Sequence, residues 1–96
     1  MTAMEDRLAK LRELLEEQET FPLDYMHKFI GRNSSAFTQG VAEFEIKVPK
    51  ARLQSMKPSA NQGHLAMTYR LLAVHVDEII EMIRISSEIP DLLLLL

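Results

Sequence analysis

The three histidines are the residues of this chain whose chemistry best suits metal binding or acid–base catalysis. They are His27, His64 and His75. His64 and His75 lie at opposite ends of one predicted strand, about 36 Å apart at ~3.3 Å per residue, so they cannot share a metal ion. His27 belongs to another predicted strand and has no acidic residue in register. We therefore interpret the histidines as surface or half-buried residues, with His75 at the N-cap of a helix, and we expect no metal site.

Serine nucleophiles and paired carboxylates are the other catalytic candidates. The serines that could act as nucleophiles are Ser34, Ser35, Ser59, Ser86 and Ser87. They stand beside turns and helix ends, where hydroxyls hydrogen-bond the backbone. Asp77 and Glu78 fall in the first turn of a predicted helix, whose dipole favours acids. The chain has no cysteine and only three glycines, which excludes a thiol nucleophile and a glycine-rich phosphate loop. We expect a protein that is not an enzyme and has no cofactor.

Length and composition predict one soluble globular domain. The chain has 96 residues, of which 47% are hydrophobic and 26% charged, and such proportions are ordinary for globular proteins. Its first residues carry dispersed charges without an apolar core, unlike a secretion signal. The leucines at 92–96 are far fewer than the ~20 apolar residues that span a bilayer. We expect a cytoplasmic protein with no membrane partner.

The net charge of −3 is concentrated at the start of the chain. Residues 1–20 hold six acids and three bases, whereas the remainder holds eight of each sign. A neutral domain lacks the excess of cations that nucleic-acid binding requires. Tyr25, Phe29 and Tyr69 share strand faces with apolar residues, so we assign them to a core and not to a base-stacking surface. We expect no nucleic-acid partner.

Residues 63–85 contain the clearest change of hydrophobic period. Residues 65–73 alternate between two faces, as in a strand. The apolar residues that follow, Val76, Ile79, Ile80 and Ile83, have the i, i+3, i+4, i+7 spacing of an amphipathic helix. The sequence therefore predicts a strand that runs directly into a covering helix.

The other segments show comparable signals. Thr2 and Glu5 form a capping-box pattern ahead of a seam of Met4, Leu8, Leu11 and Leu15. Pro22 precedes one strand and Gly31 closes it, and Pro49 ends a second helix with a stripe of Phe37, Val41, Phe44 and Val48. Gly40, on that stripe, would let a neighbour approach closely. We predict helices near 3–17, 35–47 and 76–88, and strands near 23–30, 51–57, 65–74 and 92–96.

The order of these elements predicts an α+β, ferredoxin-like fold. After residues 1–20, which we interpret as a helical arm, residues 21–96 read βαββαβ. Two split βαβ units give a four-stranded antiparallel sheet in the order 4-1-3-2, with both helices on one face. The strands that begin at Leu23 and Leu65 are apolar on both faces, which agrees with their central positions.

Several short segments, in this order and spacing, resemble the YbeD-like family of small bacterial proteins of unassigned function. They are Phe21-Pro22, Lys28-Phe29-Ile30-Gly31, Lys57-Pro58-Ser59 and Asp77-Glu78-Ile79. The resemblance covers residues 21–96 and implies a ferredoxin-like fold similar to ACT domains, which bind amino acids and regulate enzymes. The chain departs from the family pattern at Gly63, one residue later than usual, and at Ala66, where the family tends to carry serine.

Two functional hypotheses follow. The first is a small regulatory module that acts through protein contacts, either as a homodimer or with a partner enzyme. The alternative, implied by the resemblance, is an ACT-like sensor that binds a small polar metabolite, such as an amino acid, at a subunit interface. Its ligand-binding residues would be Lys57, Ser59 and Gly63.

The face of the sheet away from the two helices is the expected interaction surface. Strand parity predicts that it carries Met26, Ile30, Leu72, Val74, Leu93 and Leu95. A soluble monomer seldom leaves so large an apolar patch bare. We expect the N-terminal helix to cover it with the seam of Met4, Leu8, Leu11 and Leu15, and a second copy of the domain is the alternative cover.

Overall fold

The computed structural model describes residues 3–96, and its architecture is the predicted one. The helices are α1 (Ala3–Gln18), α2 (Ser35–Lys47) and α3 (Val76–Ser86), and the strands are β1 (Leu23–Arg32), β2 (Arg52–Pro58), β3 (His64–Ala73) and β4 (Leu92–Leu95). The four strands form one antiparallel sheet in the order β2-β3-β1-β4. This order is the predicted 4-1-3-2, so the ferredoxin-like fold is confirmed.

Strands β1 and β3 form the centre of the sheet. They pair without interruption from Leu23 opposite Ala73 to Arg32 opposite His64. The prediction that Gly31 closes β1 is wrong, because Gly31 pairs with Leu65 and the strand continues to Arg32. Strands β2 and β4 lie at the edges, and each contains one irregularity in its register.

A cluster of aromatic rings around Phe29 occupies the middle of the core. Tyr69 of β3 stacks on Phe29 with ring centroids 5.7 Å apart. Phe37 and Phe44 of α2 contact Phe29 edge-on at 6.2 and 5.6 Å. The Tyr69 hydroxyl donates a 2.6 Å hydrogen bond to Glu45 Oε2. Burial, together with this carboxylate, raises the pKa of Tyr69. The cluster therefore joins both central strands to α2.

Two glycines allow close contact within the helix layer. A Cβ at Gly31 would lie 2.1 Å from Cε1 of Phe37, which packs directly over the β1 backbone. A Cβ at Gly40 would lie 2.7 Å from Cδ of Pro90. The close approach predicted at Gly40 is therefore present, and the segment after α3 is the neighbour.

Helix α1 does not cover the open face of the sheet, and that prediction is wrong. Its seam packs on the helix side, where Leu8 and Leu15 are buried and Met4 and Leu11 are partly buried against the core. Salt bridges from Arg84 to Glu5 and from Arg12 to Asp77, the latter 2.6 Å long, tie α1 to α3. The helix thus extends the existing helix layer. Thr2 of the predicted capping box lies outside the described residues.

The predicted orientation of the last strand also needs correction. Leu95 pairs with Phe29 and therefore faces the helices, whereas Leu94 pairs with Ile30 and faces outward. Leu93 falls at the register irregularity between Ile30 and Gly31 and is exposed. A run of identical leucines has no alternation, so only the pairing with β1 could decide which side chains face the core.

Truncation of α3 in the core is expected to destabilise the protein substantially. Ile80 is 2% exposed, so Ile80→Ala removes buried methylene groups and should lower the free energy of unfolding by about 2–5 kcal/mol. Ile46 of α2 is 78% exposed, and Ile46→Ala is the matched control. Urea denaturation measures both. Equal, small losses for the two variants would show that this face of α3 is not buried.

Candidate functional site

The open face of the sheet presents exposed apolar side chains without cover from any described element. Cross-strand partners share a face, so the register places Met26, Ile30, Ala66, Leu72 and Leu94 together on this side. Met26 and Leu72 are 54% and 58% exposed, and Val74, just beyond β3, is equally open. Of the apolar residues predicted for this face, Met26, Ile30, Leu72 and Val74 are there, whereas Leu95 is not. We call this whole side of the sheet the open face. Its apolar residues are Met26, Ile30, Ala66, Leu72, Val74 and Leu94.

The same face is strongly basic. The register places five cations, Lys28, Arg32, Arg52, Lys57 and Arg70, on this side with one carboxylate, Asp24. Asp24 pairs with Arg70, whose hydrogen bond lowers the pKa of Asp24. The three helices together carry ten acids and five bases. The sequence shows no excess charge after residue 20, but the fold separates the charges by layer.

A broad concavity lies on the open face next to the edge strand. Its volume is about 450 Å³, and it is lined by Lys50, Arg52, Gln54, Arg70, Leu72 and Val74. Cationic groups thus border an apolar floor. Within residues 3–96 the strand positions on this face carry no Phe or Tyr ring, because those rings point toward the helices, and the imidazole of His64 stands at the end of β3 opposite Arg32. One imidazole at the end of a strand does not form the row of aromatic rings on which successive nucleic-acid bases stack.

A second concavity, of about 340 Å³, lies beneath α1 on the opposite side of the sheet. Its apolar walls come from α1, α3 and the end of the chain: Met4, Leu8, Leu11, Leu14, Ile83, Leu95 and Leu96. Tyr25 and His27 of β1 supply polar groups, and Arg7 and Lys10 of α1 add cations. We call this space the α1 cavity. A few polar groups within a mostly apolar lining is the usual composition of a ligand pocket.

His27 is buried in the wall of the α1 cavity, and its interpretation as a surface or half-buried residue is wrong. The side chain is 1% exposed. Its Nε2 lies 2.8 Å from Ser86 Oγ, and Ser86 Oγ donates to the carbonyl of Ile83 at 2.9 Å. A hydroxyl has one proton, so Nε2–H of His27 must donate to Ser86. Two features of the sequence could have indicated this burial. His27 alternates with Tyr25 and Phe29 on one face of the strand, and Ser86 follows Ile83 by one helical turn.

The remaining ring nitrogen of His27 has no hydrogen-bond partner. Nδ1 is buried and unpaired among the described residues, and the tautomer set by Ser86 makes it an acceptor. An unsatisfied buried polar atom costs about 1–3 kcal/mol. Burial also lowers the pKa of His27 from 6.5 to about 4, so the ring is neutral at pH 7. Ser86 is fully buried and its proton is engaged, so this pair is not arranged for nucleophilic catalysis.

The loop containing Lys57, Ser59 and Gly63, implied by the family resemblance as a ligand site, is closed by its own hydrogen bonds. Ser59 Oγ donates to Asn61 Oδ1 at 2.9 Å and accepts from the backbone of His64 at 3.1 Å. The Gly63 amide also donates to Asn61. These bonds shape the turn between β2 and β3. The ligand-binding role of Lys57, Ser59 and Gly63 stays a prediction.

His75 stands at the start of α3, in a different environment from the buried His27. His75 is the N-cap residue of α3 as predicted, but the capping bonds come from Glu78, whose Oε1 accepts from the amides of Val74 and His75. Lys50 hydrogen-bonds the same carboxylate and lowers the pKa of Glu78. Within residues 3–96, no three potential metal ligands lie close enough together to hold an ion. No helix in this range is long and apolar enough to cross a membrane.

Comparison with known proteins supports the fold. The chain is similar to the ACT domain of GTP pyrophosphokinase from Chlorobium tepidum, with a TM-score of 0.58 and 9% identity over 77% of this chain and 97% of that one. At such low identity the likeness concerns the fold alone. No family model matches the chain, so the resemblance to the YbeD-like family has no support from that source. No curated protein matches it either.

The buried His27 is expected to make stability depend on pH. Its pKa is 6.5 when unfolded and about 4 when folded, so the unfolded chain binds the proton first as pH falls. The free energy of unfolding should therefore decrease as the pH falls from about 6.5 to about 4, by roughly 3 kcal/mol in all. His27→Gln keeps an amide donor for Ser86 and does not titrate. Urea denaturation at pH 7 and pH 4.5 should show a smaller difference for His27→Gln than for the wild type; equal differences would contradict this explanation.

Proposed function

We propose that this protein is a small, non-catalytic interaction module that binds another protein through the open face of its sheet. The observation that carries this proposal is the exposed group of Met26, Leu72, Val74 and Leu94 among five cations and one carboxylate. Contiguous exposed apolar surface with a polar rim is typical of protein interaction sites. The ACT-like fold supports a regulatory role for the contact.

The chemistry of the face defines the partner. Its apolar centre would pack against aliphatic or aromatic side chains of the partner, and its cations would pair with carboxylates around them. Such complementarity speeds association and excludes cationic partners. We therefore expect a protein surface, such as an amphipathic helix, in which Asp and Glu border a row of apolar residues.

A second copy of this chain fits the face less well. A symmetric contact of two open faces would bring the cation excess of one against that of the other. In a contact between the open face of one copy and the acidic helix layer of another, the first copy keeps a free helix layer and the second a free open face. Each can repeat the contact with a further copy, which produces open chains of molecules. A different, acidic partner would pair with the cations of the open face and would not propagate the contact to further copies.

A carboxylate at the centre of the open face should abolish the interaction. Leu72→Glu adds negative charge and removes apolar contact area, whereas Ile46→Glu makes the same change at an exposed site on α2. Wild type, Ile46→Glu and Leu72→Glu are each immobilised and exposed to a cell extract. The candidate partners are the proteins that wild type and Ile46→Glu retain and Leu72→Glu does not. Titration calorimetry with the purified candidate should then show at least about a tenfold weaker affinity for Leu72→Glu, as expected for loss of a central contact.

Salt and nucleic acid supply the decisive controls for this proposal. The affinity for the purified partner should fall as NaCl rises, because the cations contribute to attraction. Equal retention by Leu72→Glu and Ile46→Glu would overturn the proposal. So would binding of a single-stranded RNA oligomer that depends on Leu72, since the partner would then be a nucleic acid.

Three further expectations belong to the proposal. We place the module in the cytoplasm, which the absence of cysteine supports. A metabolite bound at Lys57, Ser59 and Gly63 is the alternative function, and a homodimer is the alternative partner. Light scattering distinguishes the homodimer, because a mass of twice 11.0 kDa that Leu72→Glu reduces to that of one chain would assign the open face to self-association.

A further inference from the structure

We propose that the concavity of the open face binds one carboxylate of the partner between Arg52 and Arg70, next to one aliphatic side chain of the partner. The aliphatic side chain packs on Leu72 and Val74, and we call these four residues the anchor site. Asp24, which already pairs with Arg70, weakens the contact. The anchor site depends on the function proposed above, and it defines which group of the partner the open face recognises.

Two arginines oppose each other on neighbouring strands in the concavity. Arg52 of β2 pairs in register with Arg70 of β3, and both line the concavity. Side chains of such partners lie about 5 Å apart at Cβ, and like charges directly opposite each other destabilise a sheet. The third cation of the lining, Lys50, hydrogen-bonds Glu78, and the lining contains no acid. A carboxylate between the two guanidinium groups would offset their repulsion.

Both arginines retain hydrogen-bond donors for such a carboxylate. Asp24 occupies one edge of the Arg70 guanidinium, where Nε donates to Oδ1 at 2.7 Å and Nη2 pairs with Oδ2. Within residues 3–96, Nη1 of Arg70 makes no hydrogen bond, and the guanidinium of Arg52 makes neither a hydrogen bond nor an ion pair. Guanidinium groups bind carboxylates through paired N–H donors, so the free donors suit this group.

The apolar part of the concavity sets the distance between the two groups of the partner. Leu72 follows Arg70 by two residues on the same face of β3, which places it about 7 Å away at ~3.3 Å per residue. Leu72 and Val74 are both more than half exposed. On a helix, side chains three or four residues apart are about 5–6 Å apart at Cβ. A partner helix with an Asp or Glu three or four positions from a Leu, Ile or Val therefore fits the anchor site.

Asp24 competes with the carboxylate of the partner. Among the strand positions of the open face in residues 3–96 it is the one acid, and its charge lies beside the guanidinium that the partner must bind. It repels an incoming carboxylate and takes two of the nitrogens of Arg70. Its removal should therefore strengthen the contact, whereas the loss of an exposed ion pair costs little stability.

Two small molecules that differ in charge test the anchor site without the partner. The probes are 4-methylpentanoate, which joins a carboxylate to a branched aliphatic group, and its amide, 4-methylpentanamide. Each is titrated into the full chain at pH 7, and NMR follows the backbone amides of residues 52–54 and 70–74. We expect the carboxylate to bind at least about threefold more tightly than the amide, because it alone pairs with both guanidinium groups.

Matched substitutions identify the groups that bind the carboxylate. Arg52→Gln should reduce the affinity for 4-methylpentanoate to that for the amide, whereas Arg7→Gln, the same change on α1, should leave it unchanged. Asp24→Asn should raise the affinity about two- to threefold, and Asp6→Asn on α1 should not. Arg52→Gln should also keep or raise the urea midpoint, because it relieves the repulsion from Arg70. A purely structural residue would lower that midpoint.

The purified partner from the Leu72→Glu comparison supplies the second arm of the test. Titration calorimetry should show at least about fivefold weaker binding for Arg52→Gln, as expected for an arginine at the centre of a contact. Arg7→Gln should bind the partner with the affinity of the wild type. Asp24→Asn should bind it more tightly.

Several outcomes would overturn this inference. Equal affinities of the wild type for the carboxylate and the amide would do so, as would equal effects of Arg52→Gln and Arg7→Gln, since net charge would then explain them. A partner that Leu72→Glu loses and Arg52→Gln binds normally would remove the anchor site and leave the proposed function intact. Binding of 4-methylpentanoate that depends on Arg52, with no partner retained by the open face, would overturn the proposed function and make a small free acid the source of the carboxylate.

Discussion

The packing of Phe29 at the centre of the sheet is the interaction on which the rest of this structure depends. Its ring contacts Tyr69 from β3 and Phe37 and Phe44 from α2, and all four are buried. Such ring pairs add directional preference to the burial of large apolar area. Because Phe37 also lies over Gly31, α2 can approach β1 only in this position. The cluster thereby fixes α2 on one side of the sheet, and α3 packs on the same side through its buried residues Ile79, Ile80 and Met82.

This one-sided arrangement explains why the other face stays open and charged. Alternate residues of β1 and β3 must point away from Phe29 and Tyr69, and those residues include Lys28, Arg70 and Leu72. Helix α1 could have covered them, and its acids would have met cations there. Instead its leucine seam joins α3, with Arg12 and Glu5 in salt bridges to that helix. The apolar surface of α3 and β4 determines the position of α1 more than long-range attraction between screened charges.

The position of α1 has a second consequence, because the helix roofs a space over His27. Here a neutral histidine holds Ser86 with one nitrogen and leaves the other unpaired. A buried polar atom without a partner departs from the usual consistency between sequence and fold, and such departures concentrate at functional sites. Within residues 3–96, Nδ1 of His27 is the buried side-chain polar atom left without a hydrogen-bond partner.

The sequence alone determined the elements, their order and the core. Hydrophobic period separated strands from helices, breakers such as Pro22 and Pro49 marked their ends, and the apolar faces of β1 and β3 placed them at the centre. These are local properties, since each depends on residues a few positions apart. Gly40 was identified in the same way, from its place on the buried stripe of α2.

Only the tertiary structure decided which surfaces face each other. The leucine run of β4 has no alternation, so the orientation of Leu94 and Leu95 depended on pairing with Ile30 and Phe29. The seam of α1 identified the buried side of the helix, but two apolar surfaces were available to receive it. The hydrogen bond of His27 to Ser86 joins residues 59 positions apart, and the basic face collects cations from three strands. Each of these features is a juxtaposition of distant segments, which no local period in the sequence encodes.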